Sequence, residues 1–311
     1  HLNNFISLNY FSNNIDLSIL SQDIVELGIQ SGSYNMPIQI TANWFNKLES
    51  DGFKSNLLGQ YTFFEKITSE INEVQRLHLE PEVSYTINKP AYELLISSAY
   101  LATFYQQSNQ LLAEDVEVNR QLFKHRMLAG LNFERDIQYF TTNVRQTLEP
   151  KIQYLFVEYE DQTDIGLYDS QLLKEDYFSL FRDNDYSGLD RISAMNQATL
   201  GFSSSIFNKN NKELFRLGLA QIFRFDDFEG TNQQINHSKS AFAIEWFGQL
   251  SENWQFDGAV LYDSRNGVIE SGFVSLDYWL AKDKNIQINH RYAEDIAGVT
   301  INQTGFFSSY Q

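Results

Sequence analysis

From residue 254 to residue 292 the side chains change character at every second position, strand after strand, and the apolar positions are heavily aromatic. Trp254, Phe256, Gly258, Val260 and Tyr262 fall on one face, with Gln255, Asp257, Ala259, Leu261 and Asp263 on the other. Beyond Arg265-Asn266-Gly267 the pattern restarts, with Gly272, Val274, Leu276, Tyr278 and Leu280 against Ser271, Ser275 and Asp277. After Lys282-Asp283-Lys284 it restarts again, with Ile286, Ile288, His290 and Tyr292 against Asn285, Gln287, Asn289 and Arg291. Successive side chains of a strand point to opposite sides, so each segment has one apolar and one polar face. A soluble sandwich can carry this pattern. A long series of such strands, joined by alternately short and long connections, fits a transmembrane antiparallel β-barrel better.

The composition agrees. The chain holds 17 Tyr and 25 Phe among 311 residues, more than a soluble core needs, and only 4 Pro. It has no apolar run of the length a membrane helix requires. A barrel needs none, because only every second residue of a strand meets lipid. The length suits two soluble domains, or about 15 strands of ~10–14 residues in one barrel or part of one. There is no cysteine, so redox state leaves no mark. A net charge of −17 argues against nucleic acid and anionic membrane surfaces as partners; an acidic lumen and acidic loops account for it. The chain opens His-Leu-Asn-Asn, without initiator Met or leader, in what already reads as a strand. The expectation is a processed start or an internal fragment.

Strands are expected near 5–11, 15–20, 24–30, 37–46, 56–64, 76–87, 92–105, 121–134, 145–159, 193–207, 213–226, 239–250, 254–263, 268–280 and 285–293, with another from about 302. Charges keep to one face. Leu77, Leu79, Val83 and Tyr85 alternate with His78, Glu80 and Glu82; Met127, Ala129, Leu131 and Phe133 with Arg126, Leu128, Gly130 and Glu134; Phe215, Leu217, Leu219 and Phe223 with Arg216, Gly218, Ala220 and Arg224. A charge on the lipid side would cost ~2–4 kcal/mol at mid-bilayer. The turns at 88–91, 208–212, 251–253 and 281–284 are short and polar and are expected on one, periplasmic, rim. The longer connections 106–120, 160–192 and 227–238 are expected on the opposite, outer, rim.

Nucleophilic catalysis finds little support. Gly201-Phe202-Ser203-Ser204-Ser205 lacks the second glycine of a nucleophile elbow, and none of the 5 His stands in a recognisable triad pattern. His78, Glu80 and Glu82, with Arg76 beside them, share one strand face at ~7 Å intervals. They could bind a cation or a sugar hydroxyl, or form a hydrated, salt-bridged lumen wall. Glu149 joins Arg126, Glu134, Arg216 and Arg224 as further lumen candidates. The 160–192 segment is the stronger candidate. It combines Asp161, Asp164, Asp169, Glu175, Asp176, Asp183, Asp185 and Asp190 with Lys174, Arg182 and Arg191, and with Tyr168, Tyr177, Phe178, Leu180, Phe181, Tyr186 and Leu189. A purely solvated loop has little use for these apolar groups, each worth ~1.5–3 kcal/mol if buried. The segment is therefore expected to fold over or into the barrel mouth, burying Tyr168, Phe178, Phe181 and Tyr186, pairing Arg182 and Arg191 with nearby acids, and turning at Gly188. No calcium-loop pattern is present, and no metal is expected.

At this loop the sequence resembles a known family. Arg145-Gln146-Thr147-Leu148-Glu149-Pro150-Lys151-Ile152-Gln153-Tyr154-Leu155-Phe156-Val157, then Asp161-Gln162-Thr163-Asp164-Ile165 and Tyr168-Asp169-Ser170, is similar to the LPS-assembly outer-membrane protein family LptD (OstA/Imp). So are Leu180-Phe181-Arg182-Asp183, Tyr186-Ser187-Gly188-Leu189-Asp190-Arg191-Ile192, Leu77-His78-Leu79-Glu80-Pro81, Asn132-Phe133-Glu134-Arg135-Asp136 and His290-Arg291-Tyr292-Ala293. The resemblance implies that residues 1–311 are the central portion of a barrel of about 26 strands in the Gram-negative outer membrane. It implies a lipopolysaccharide translocon that works by binding and guidance, without bond chemistry or cofactor. Its implied partners are lipopolysaccharide, an LptE-type plug lipoprotein, periplasmic bridge proteins reached through an N-terminal jelly-roll, and the barrel-assembly machinery during folding. The jelly-roll, the closing strands and the family's cysteine pairs have no counterpart in these residues, so the lateral seam is not mapped. A passive or substrate-specific porin and a soluble β-sandwich binding module are the alternatives.

Overall fold

The computed structural model describes residues 2–25, 34–46, 51–66, 71–109, 114–139, 142–173, 177–225, 241–264, 267–281, 284–296 and 299–310. They form one antiparallel sheet: β1 (Leu2–Phe11), β2 (Ile15–Val25), β3 (Asn35–Phe45), β4 (Gly52–Glu65), β5 (Ile71–Lys89), β6 (Tyr92–Asn109), β7 (Glu114–Leu131), β8 (Phe133–Tyr139), β9 (Thr142–Val157), β10 (Met195–Phe207), β11 (Glu213–Arg224), β12 (Ala241–Gln249), β13 (Trp254–Asp263), β14 (Val268–Ala281), β15 (Lys284–Ile296) and β16 (Val299–Ser309). The strands pair in chain order, except that β7 and β8 both pair with β9, and β1 and β16 end the pairing order. The single helical turn among the described residues is a 3-10 turn at Ser179–Phe181.

Alternation sets the two faces. On β5 Leu77, Leu79 and Val83 are exposed, while Arg76 and His78 between them have no exposed surface. The register carries this across the sheet. Arg76 stands opposite Tyr105, and Thr103 opposite Arg120. Farther along, Ser205 stands opposite Arg216. The outer face presents Ile19, Ile40, Phe104, Phe123, Met127, Ile152, Leu200, Phe223 and Leu276 in the open. A soluble sandwich would bury these groups between sheets; here nothing described covers them, and that alternative fails. A solvent of hydrocarbon makes the arrangement favourable.

Several boundaries differ from the sequence reading. The 106–120 connection is mostly strand, because β6 runs to Asn109 and β7 starts at Glu114. Its polar side chains concealed a hairpin whose inner face receives the 160–192 segment. Residues 15–20 and 24–30 are not two strands. β2 continues to Val25 through a register shift near Leu20 and Gln22, so the polar run Ser21-Gln22-Asp23 is an irregularity and not a turn; 26–30 lie outside the described residues. The strand expected over 121–134 extends to Tyr139. Gly130 opposes Lys151 and Phe133 opposes Leu148, so β7 and β8 are one strand path in one register. Only Asn132 separates them, and its N–H donates to the Ala91 carbonyl at 2.8 Å, one step beyond the Tyr92–Leu131 pair.

Antiparallel order places the ends joining β5 to β6, β10 to β11, β12 to β13 and β14 to β15 on one edge of the sheet, and those joining β6 to β7, β9 to β10 and β11 to β12 on the other. The two groups of connections read from the sequence fall on opposite edges as expected. The 227–238 segment itself lies outside the described residues.

Candidate functional site

The 158–194 connection lies against the inner face of the sheet. Two arginines from the wall receive it. Arg76, buried on β5, reaches Asp190 at 2.7 Å through one terminal nitrogen. Its other terminal nitrogen reaches Asp169 at 2.6 Å and Gln60 at 2.8 Å, and its guanidinium lies 5.0 Å from the Phe64 ring centre. Arg120, buried on β7, donates to Gln162 Oε1 at 2.8 Å, to the carbonyls of Asp190 at 2.9 Å and Leu189 at 2.6 Å, and to Thr103 Oγ1 at 3.0 Å. A buried cation must be met by such a set, because its solvation is lost.

Asp190 is the other half of the joint. Its side chain is fully buried and accepts from Arg76, from the Tyr105 hydroxyl at 3.2 Å, and from the N–H groups of Tyr168 at 2.8 Å and Asp169 at 2.7 Å. Burial, and then the charge of Asp169, push the Asp190 carboxyl up to about 6. Burial alone would raise Asp169 too, but the hydrogen bond and charge of Arg76 hold it below the usual range. The exposed Asp161 is also lowered, first by the N–H of Thr163, which donates to it at 3.0 Å. Gly188, at φ +68°, adopts the left-handed turn that sends Leu189 back toward Asp169.

Apolar contacts extend the joint along the wall. Ile165 and Tyr168 pack with Phe64, Val74 and Tyr105; Ile192 and Met195 with Leu101, Leu122, Leu155 and Val157; Tyr177 and Leu180, flanked by Phe181, with Ala220, Ile222, Ala243 and Leu261. Phe181 lies over Gly201, where an added Cβ would come within 2.5 Å of the ring. Burial pushes the Tyr168, Tyr177 and Tyr186 hydroxyls upward. The Tyr168 hydroxyl donates to Gln107, which itself donates to the Asp164 carbonyl at 2.9 Å.

The residues singled out from sequence divide accordingly. His78 is buried and bonded to Thr103 at 2.9 Å, with Glu80 at 3.4 Å. Glu80 and Asp183 share Lys124, each at 2.9 Å, and Glu82 lies half-buried on the same face. Arg126 donates to Gln153 at 2.8 Å and to the Phe181 carbonyl at 3.2 Å. These belong to the joint. Glu149 and Arg216 line a separate cleft beside Tyr177 and Phe178. Glu134 is exposed on β8 and Arg224 stands opposite Gln197 on the inner face, both apart from the joint. Tyr186 pairs with Leu172. Half-buried Arg182 closes the helical turn through its N–H to the Ser179 carbonyl.

Two expectations are corrected. Phe178 is 61% exposed, because buried Tyr177 and partly buried Phe181 make the wall contact on either side of it. Arg191 donates to the main-chain carbonyls of Ile165 at 2.5 Å and Asp190 at 3.2 Å, where a carboxylate partner was expected; Asp169, Asp183 and Asp190 are engaged by the wall. Arg120, Tyr105, Gln107, Gln162 and Ser170 were missed. Only the unusual placement of an arginine on the inner face of an aromatic hairpin could have signalled the first.

A long antiparallel meander, exposed and apolar outside, polar inside and receiving its own inward-folded loop, is the wall of a transmembrane β-barrel. The family described as LptD, LPS transport system D, matches residues 1–311. The LPS-assembly protein LptD of Pseudoalteromonas atlantica is 34% identical over 317 residues, covering 100% of this chain and 41% of that protein. The protein of the same name from Shewanella frigidimarina is 36% identical, covering 94% of this chain and 39% of its own length. Among solved structures the copper transporter OprC is similar at a TM-score of 0.36 and 9% identity, over 98% of this chain and 63% of that one. The chain belongs to the LptD family, and it spans about two-fifths of the curated relatives it matches.

Proposed function

We propose that these residues form the central wall of an outer-membrane translocon that delivers lipopolysaccharide to the outer leaflet, and that the 160–192 segment is an internal lid fixed to that wall. Family membership and the relatives named LPS-assembly protein support the substrate. The observation that carries the role of the lid is the joint at Arg76, Arg120 and Asp190, where residues from distant parts of the chain bury three charges together. A freely conducting porin has no need to fill its lumen so firmly at one wall. Further strands beyond β1 and β16 close the barrel in this reading, since open edges are not tolerated in lipid.

The lid also gives a plug lipoprotein a fixed surface inside the barrel. Leu167 and Leu172 are exposed on it although their neighbours pack on the wall. The protein's part is binding and guidance, with the polar inner face wetting the saccharide path and the outer face held in lipid. Deleting 164–186 from the full-length protein is expected to lower recovery of the plug on co-purification and to sensitise cells to vancomycin, with the barrel still inserted. Plug recovery and sensitivity both equal to the parent would reject the role of the lid.

A further inference from the structure

The inner face carries a second feature, away from the buried joint. A cleft of about 180 Å³ opens between the lid and strands β9 to β12, beneath Tyr177 and Phe178. It is small beside the roughly 300–1,000 Å³ of sites for drug-sized ligands, a scale that suits a single ring. Phe178 stands edge-to-face on Tyr177, with ring centres 5.0 Å apart, and leaves 61% of its surface open. Among the described residues, Glu149, Glu213 and Glu245 stand around it with one cation, Arg216. Arg216 is held loosely, 3.7 Å from both Glu213 and Glu245, and its buried Nε has no partner among the described residues.

An open aromatic face beside fixed carboxylates and a guanidinium suits a sugar ring. The ring's C–H groups lie against the negative face of the aromatic, and its hydroxyls meet acceptors and donors at the rim. The charges add a selection. Three carboxylates against one guanidinium repel a phosphate and attract an ammonium, which the aromatic face also favours. On the other half of the wall the inner-face cations are matched by acids, Arg76 by Asp169 and Asp190 and Lys124 by Glu80 and Asp183. We propose that this cleft is a docking site for an unphosphorylated hexose, with preference for an amino-substituted one, and that it excludes phosphorylated sugars. The proposal rests on the reading of the lumen as a saccharide path, and adds a place on that path and a rule for what is held there.

The test uses the full-length protein with its plug in detergent, and saturation-transfer NMR with glucose, glucosamine and glucose 6-phosphate. Glucosamine is expected to bind best, glucose more weakly, and glucose 6-phosphate not at all. Phe178→Ala, which removes an exposed ring, is expected to weaken both binders by roughly three- to tenfold, the scale of one ring contact. Glu245→Gln is expected to narrow the gap between glucosamine and glucose. Binding of glucose 6-phosphate as strong as that of glucose, or binding indifferent to Phe178→Ala, would overturn the proposal. If no sugar binds while the 164–186 deletion still releases the plug, the cleft reading fails and the translocon reading stands.

Discussion

Replacing Arg76 with leucine strikes the joint where its charge is concentrated. The variant keeps apolar volume against Phe64 but leaves Asp169 and Asp190 buried without their cation. Asp190 retains the Tyr105 hydroxyl and two N–H donors, while Asp169 keeps the Leu189 N–H at 3.2 Å and a weak Ser170 contact. Removing one partner of a buried pair costs about 3–5 kcal/mol, so opening of the lid from the wall should become about 10²–10⁴ times more frequent. Hydrogen exchange at Tyr168 and Asp169, whose N–H groups bind Asp190, reads this directly. The pH dependence gives an independent check. Burial and the charge of Asp169 push the Asp190 carboxyl up to about 6, with Arg76 keeping it from rising further, so its ionisation weakens docking as pH rises from about 4 to about 6. Asp169, held low by Arg76, contributes stability above about 4 and loses it only in stronger acid. Without the guanidinium both carboxyls move upward, and acidification from pH 7 to about 5.5 should restore part of the protection relative to the parent. Unchanged exchange at pH 7, or protection that falls further on acidification, would refute the reasoning.

Gly201→Val should displace Phe181, since even a Cβ there would meet the ring; overpacking of this kind costs about 1–3 kcal/mol. Chymotrypsin should then cut faster after Tyr177 or Phe181 while exchange at Tyr168 stays slow, and acceleration at both places would mean the lid moves as one body. On the outer face, Leu79→Arg should lower the yield of heat-modifiable folded barrel, at a cost of ~2–4 kcal/mol if mid-bilayer, whereas Glu82→Gln on the inner face should not. Equal yields would argue that the face bearing Leu79 does not meet lipid.

The two faces of the wall were legible residue by residue. Leu77, Leu79 and Val83 against His78, and Phe215 and Leu217 against Arg216, lie on the sides that alternation assigned, because a strand has no freedom to do otherwise. The 160–192 segment was also legible as something that packs, from its mixture of acids and aromatics. Its partners were not. Arg120 fell inside a stretch read as a loop, and Phe178 was expected inside while only its neighbours Tyr177 and Phe181 are held against the wall. Asn132 looked like part of one strand, and the unbroken register from Gly130 to Phe133 agrees, with its N–H donating to Ala91 one step beyond the Tyr92–Leu131 pair.

Local periodicity, turn composition and charge placement are properties of neighbouring residues, and they determined the strands, their faces and the inward-folding loop. The pairing of Arg76 with Asp190 joins positions 114 apart, and no short-range pattern specifies such a contact. It exists because β5 and β7 flank β6, with their inward arginines facing the same space, and because a buried cation there is tolerated only if the returning chain supplies a carboxylate and carbonyls at that height. Tertiary structure alone decided that the loop's acids serve the wall and that one aromatic ring, Phe178, remains open above an acidic cleft.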